Sequence, residues 1–178
     1  MRGFAAVAWL WAGLSGGALY AQDTTSSADS TAPSPVPPPP TPAQTRYLRG
    51  LSSASRGVAQ LKDGVDRVQR NLTHPDTVRV RQAGSRLAGL CGAARGFMAN
   101  GRVQMQATAY EDSTRIKARA LAAQVDSLIR YVPTCEARAA RAPGPTANAL
   151  LDRLRAYEAA LREFREAIRP PTKSPPQG

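Results

Sequence analysis

The sequence predicts an all-α protein, an antiparallel up-down four-helix bundle with heptad-like seams, preceded by a signal peptide and a Pro-rich disordered linker. Three observations carry this. Apolar residues recur at alternating steps of four and three in the first and last parts of the domain, the period of a helix lying along partner helices. Prolines punctuate the seams where helices should start or stop. Two cysteines are spaced so that one hairpin brings them level.

At the N-terminus, Arg2 precedes an apolar run from Phe4 to Leu19, and Leu19-Tyr20-Ala21 leads into Gln22-Asp23. This is the pattern of a secretory signal peptide over residues 1–21, cut after Ala21. The run is near the lower limit of roughly 20 residues for a membrane span, and Ser15-Gly16-Gly17 interrupts it. Retention as an anchor is the alternative. No cysteine stands at the cleavage point, so a lipid anchor is not indicated, and no second stretch of spanning length follows. The expected destination is periplasmic or extracellular, and the Ala/Arg/Pro-rich composition suits a bacterial setting.

Residues 22–45 are rich in Ser, Thr and Ala and carry Pro33, Pro35, Pro37, Pro38, Pro39, Pro40 and Pro42. Prolines this dense fix φ and remove donors, which predicts an extended spacer without a core. Residues 170–178 form a shorter tail of the same kind.

The bundle domain spans residues 46–169. Its first seam is Tyr47, Leu51, Ala54, Val58, Leu61, Val65, Val68 and Leu72. Its last is Ala147, Leu150, Leu154, Tyr157, Leu161, Phe164 and Ile168, bounded by Pro145 and Pro170-Pro171 and helped by the Glu158/Arg162 pair. In the middle, Leu87, Cys91, Ala94, Met98, Gly101, Met105 and Thr108 form one seam. Thr114, Ala118, Leu121, Val125, Leu128 and Val132 form another, ending before Pro133.

Two turns compete for the join between the middle helices. Asn100-Gly101 is a turn dipeptide; Glu111-Asp112-Ser113 offers Asp112 or Ser113 as a cap. In an exported protein Cys91 and Cys135 are expected to pair, which requires Cα atoms about 4.4–6.8 Å apart. Reversal at Asn100-Gly101 would leave them on the order of 35 Å out of level at about 1.5 Å rise per residue. Reversal near residue 113 aligns them. The bridge therefore predicts a second helix from about Asp76 to Tyr110 with Gly101 inside its seam. That helix also carries Gly84, Gly89, Gly92 and Gly96, each costing about 1 kcal/mol against Ala. Gly84, Ala88, Gly92 and Gly96 share a face on which a neighbouring helix is expected to pack closely.

Catalytic and cofactor motifs are lacking, so the reading is of a protein that is not an enzyme and takes no cofactor. The two cysteines have neither Cys-x-x-Cys spacing nor a nearby histidine, so they read as a staple. His74, in Thr73-His74-Pro75-Asp76, is the single histidine, too few for a zinc site, and is expected to cap a junction or face solvent. Met98 and Met105 on a seam read as core; non-covalent haem ligation by one of them is the remote alternative. No phosphate loop, nucleophile elbow or His-Glu-x-x-His occurs. Glu163 and Glu166 sit among Arg162, Arg165 and Arg169 as on a solvated, ion-paired helix. Asn71-Leu72-Thr73 matches a glycosylation acceptor, relevant only in a eukaryotic host.

Charge remains. The chain is +11, and +10 without Arg2, nearly all of it arginine. Residues 46–72 hold six basic and two acidic residues, and 76–110 five and one, whereas 146–169 hold five and four. Arg49, Arg56 and Arg70 share one heptad position, interrupted by Asp63, and Arg81, Arg95 and Arg102 share another. Such stripes would attract a polyanion and hold its phosphates or carboxylates by bidentate contacts. The expected function is a non-enzymatic exported interaction module binding an anionic envelope polymer or lipid headgroups through these arginines. Arginine-rich surfaces also serve solubility alone. A small-ligand-carrying or sensory bundle and a self-assembling structural protein, with a protein partner or second copy, are the alternatives. Sequence-specific nucleic-acid recognition has no motif here.

Overall fold

In the computed structural model, residues 38–169 are described, and they form a bundle of four helices. The expected signal peptide, most of the linker and residues 170–178 lie outside the described residues.

Helix α1 spans Pro42–Leu72. Thr41 caps it: its hydroxyl accepts from the Gln44 N–H at 3.2 Å, and the Gln44 side chain accepts from the Thr41 N–H at 2.9 Å. This reciprocal box satisfies two orphan donors, and Pro42, whose φ suits the first helical position, follows directly. The last proline of the run is thus a helix starter, and the linker ends before residue 45. Asp76 caps helix α2, Thr77–Gln104, by accepting from the Val78 N–H at 2.8 Å.

Helix α2 stops at Gln104, six residues short of Tyr110. Met105, a 3-10 turn over Ala107–Ala109, and Tyr110 continue the chain, with Met105 and Tyr110 buried. Helix α3 then runs Asp112–Arg138. Neither Asp112 nor Ser113 caps it; Glu111 holds the cap position without a side-chain bond, and Asp112 takes φ 43°. Pro133, expected to lie beyond the helix end, sits inside it. Its ring removes the hydrogen bond to the Ile129 carbonyl, a defect of about 3 kcal/mol in a helix interior. Pro133 is exposed, while Val132, Cys135 and Ala139 are fully buried and hold the helix to its course. Helix α4 spans Pro143–Ala167.

Cys91 and Cys135 are bridged, Cα atoms 6.2 Å apart and both side chains buried. From Cys91 to the end of α2 is about ten residues shorter than from the start of α3 to Cys135, about 15 Å of helix. The connector from Met105 to Glu111 makes up that difference before the chain turns at Glu111-Asp112.

Asn100-Gly101 is no turn, because Gly101 is consumed by packing. A Cβ on Gly50 would lie 2.5 Å from the Gly101 carbonyl oxygen, and one on Gly57 would lie 2.8 Å from that of Ala94. One on Gly64 would lie 2.8 Å from the Leu87 side chain. Three glycines at heptad spacing on α1 thus meet residues 101, 94 and 87 on α2, in opposite chain order. The expected small-residue face of α2 is only partly used. Gly84 abuts the Ala139 carbonyl and the Pro143 ring, a Cβ on Gly92 would lie 3.1 Å from the Glu136 carboxylate, and one on Gly96 would meet nothing within 4 Å.

The core is continuous from Tyr47 to Phe164. At one end Tyr47, Tyr110 and Phe164 pack with ring centroids 5.2–5.3 Å apart. The Tyr47 hydroxyl donates to the Ala118 carbonyl at 2.8 Å. Further along, the Tyr157 and Ser55 hydroxyls are hydrogen-bonded at 2.8 Å. Lys62–Glu158 and Lys117–Glu163 ion pairs tie α4 to α1 and α3.

Gly57→Ala should lower stability by about 1–3 kcal/mol, since the added methyl is driven into backbone. Gly96→Ala, where the helix is open, should raise it by about 0.5–1 kcal/mol. Denaturant melts of both variants check the contrast, and equal effects would contradict the packing assigned.

Burial pushes the phenols of Tyr47 and Tyr157 above their ordinary range. Above pH ~10 the unfolded chain loses these protons while the folded chain keeps them, so the unfolded state binds fewer protons and stability falls as pH rises. The Tm should hold steady below pH ~10 and drop above it, with part of the tyrosinate absorbance appearing only as helix is lost. Complete ionisation of all tyrosines with helical signal intact would disprove this.

Candidate functional site

The short link from Thr73 to Asp76 folds the C-terminal turns of α1 against the N-terminal turns of α2. Within it the His74 Nδ1 accepts from the Asp76 N–H at 3.1 Å, and Nε2 lies 3.3 Å from an Arg79 guanidinium nitrogen. Asn71 donates to the Arg67 carbonyl at 2.7 Å, tightening the last turn of α1. His74 therefore orders the junction and stands beside an arginine.

Across this junction opens a cleft of about 460 Å³ lined by Asp63, Arg67, Arg70 and Asn71 of α1 and by Arg79, Gln82, Ala83 and Arg86 of α2. Four guanidiniums meet one carboxylate in its wall. Asp63 is engaged with Arg67 at 2.8 Å, one turn along the same helix. Arg79 lies 3.6 Å from Asp76, the cap of α2. Among the described residues no carboxylate reaches ion-pair distance of Arg70 or Arg86. The cleft thus holds many more N–H donors than acceptors, and exposure to water is what satisfies them in the free protein.

The six arginines expected from heptad spacing do not form one surface. Arg49, Arg56, Arg70, Arg81 and Arg95 are exposed. Arg102 is half-buried and lies 2.9 Å from Asp126 of α3, although its Nε–H is not aimed along that line. Charge proximity rather than an aligned hydrogen bond holds the pair. That contact turns the Arg81/Arg95/Arg102 stripe toward the α3 side of α2, whereas Arg70 stands with Arg79 and Arg86 on the α1 side. Of the six, only Arg70 lines the cleft. Arg67, Arg79, Arg86, Asn71 and Gln82 were not singled out by heptad position within each helix. The signal that brings their two segments together is cross-helix register: with Gly50, Gly57 and Gly64 opposite residues 101, 94 and 87, residues 63–72 fall opposite 79–88.

Met98 and Met105 are buried in the core. Glu163 is held below its ordinary carboxylate range by the hydrogen bond and charge of Lys117. Among the described residues no group of three or more His, Cys, Asp or Glu side chains is placed to hold a metal ion, and no helix is long and apolar enough to cross a membrane. Set beside protein-family models, curated proteins and solved structures, the chain matches none.

Asp126→Ala should lower the Tm, by the equivalent of ~1 kcal/mol, because it leaves Arg102 half-buried beside no counter-charge. Arg95→Gln, at the same heptad position but exposed, should leave the Tm unchanged. Identical melting of the two variants would remove the distinction between Arg102 and the exposed arginines.

Proposed function

We propose that this chain is a non-enzymatic interaction module that is exported to a periplasmic or extracellular setting. It is an antiparallel up-down bundle carried on a Pro-rich leash, and it binds an anionic polymer or envelope surface through arginines on the outer face of α1 and α2. The observation that carries the reading is the convergence of Arg67, Arg70, Arg79 and Arg86 from two helices on one open cleft. Arg49 and Arg56 extend the same side of α1 beyond it. Guanidinium suits this role because it stays charged at any accessible pH and presents a planar fork to phosphate or carboxylate oxygens. The buried Cys91–Cys135 bridge is compatible with an oxidising compartment.

The affinity of the full chain for lipopolysaccharide, a sulfated glycan and duplex DNA, measured from low to physiological salt, tests this. Binding should be present at low salt and fall steeply as salt rises, with similar strength for unrelated DNA sequences. Replacing Arg49, Arg56 and Arg70 by Gln should weaken it at least ten-fold, whereas replacing Arg81 and Arg95 should change it little. No binding at low salt would defeat the proposal.

A further inference from the structure

The α1 stripe and the α2 stripe do not form one surface; the arginines that two helices bring together line a compact cleft instead. Resting on the polyanion reading above, we propose that this cleft is a site for a phosphate monoester, or the terminal phosphate of a diphosphate, as carried by a phosphorylated headgroup.

The argument is one of donors and shape. Arg67 and Arg70 come from α1 and Arg79 and Arg86 from α2, so forks can approach one anion from both walls of a cleft of about 460 Å³. A carboxylate or a phosphodiester offers two free oxygens and a single charge, enough to satisfy one fork. A phosphate monoester offers three terminal oxygens and a charge of about −1.5 to −2 near neutral pH, so it can bridge forks on both helices. Arg70 and Arg86, which hold no carboxylate among the described residues, are the two free to close on it. Arg67 contributes by exchanging Asp63 for the ligand, and Asn71 and Gln82 supply neutral donors at the rim. Ala83 in the cleft wall is buried, and Gly84 beside it packs against Ala139 and Pro143, which anchors α2 at this level.

Calorimetry on the full chain with inorganic pyrophosphate tests the site. Flotation with phosphatidylcholine vesicles containing phosphatidic acid, a monoester, or phosphatidylglycerol, a diester, tests its selectivity. Pyrophosphate or phosphatidic acid should bind, phosphatidylglycerol at least ten-fold more weakly, and Arg70→Gln/Arg86→Gln should lose at least ten-fold. Arg81→Gln/Arg95→Gln, an equal loss of charge elsewhere, should retain affinity, and unchanged helical signal and Tm exclude misfolding in either variant. Binding of vesicles with none of free pyrophosphate places the phosphate on a lipid; binding of both makes the headgroup sufficient. Equal affinity for the two lipids, or an unaffected Arg70→Gln/Arg86→Gln variant, overturns the proposal. If the chain holds a sulfated glycan but neither monoester probe, this inference falls and the broader function stands. If it holds no polyanion at all, both fall.

Discussion

The close approach of α1 to α2 is the contact on which the rest of the molecule depends. Gly50, Gly57 and Gly64 recur every seven residues, and their missing side chains let the facing backbone lie where a Cβ would otherwise be. In a helix each glycine costs about 1 kcal/mol against Ala through backbone entropy. The return is dispersion and burial along the whole interface, because neighbours such as Leu61, Leu87 and Met98 are drawn into full burial. The spacing also fixes register. A slip of one residue would put a side chain where only hydrogen fits, so 50 against 101, 57 against 94 and 64 against 87 becomes the one low-energy alignment.

That alignment explains features that look wrong helix by helix. Asn100-Gly101 has the composition of a turn, yet turning there would forfeit the tightest contact of the interface. The chain therefore stays helical to Gln104 and reverses only after a connector anchored by the buried Met105 and Tyr110. The same economy governs Pro133: ending α3 before it would take Cys135 away from Cys91, and the bridge and the buried Val132 and Cys135 outweigh one lost backbone bond. Asp112, in the left-handed region without a glycine, shows where the reversal is most strained.

Much of the fold was legible in the chain. The first seam from Tyr47 to Val68, the last from Ala147 to Phe164, the pairing of the cysteines and the reversal near residue 113 follow from apolar period and from levelling two Cα atoms along a hairpin, whereas Leu72 and Ile168, expected to end those seams, are exposed. What escaped was set by relations between helices. Pro42 looks like linker until Thr41 and Gln44 are recognised as a box around it. The α2 helix looks glycine-weakened because its partner glycines on α1 were not weighed with it. The arginines were ordered correctly within each helix, but heptad position says which residues share a stripe and not which way that stripe faces. The Arg102–Asp126 pair supplies that direction for α2, and only cross-helix register assembles Arg67, Arg70, Arg79 and Arg86.

Where the positive charge lies also bears on what it is for. A charge excess serving solubility alone is best spread, because like charges brought together repel and raise the free energy of the folded state. Elsewhere in the bundle lysines 62 and 117 are matched to Glu158 and Glu163, and Arg102 to Asp126, while Arg49, Arg56, Arg81 and Arg95 stand spread and exposed. At the α1–α2 junction four guanidiniums share a cleft with one carboxylate in its wall, Asp63, and Asp76 lies close to Arg79. That cluster lies at the end of the α1–α2 pair, where Ala83 is buried and Gly84 packs against Ala139 and Pro143. For the anion site proposed above, charges already brought together in folding need not be assembled again in binding.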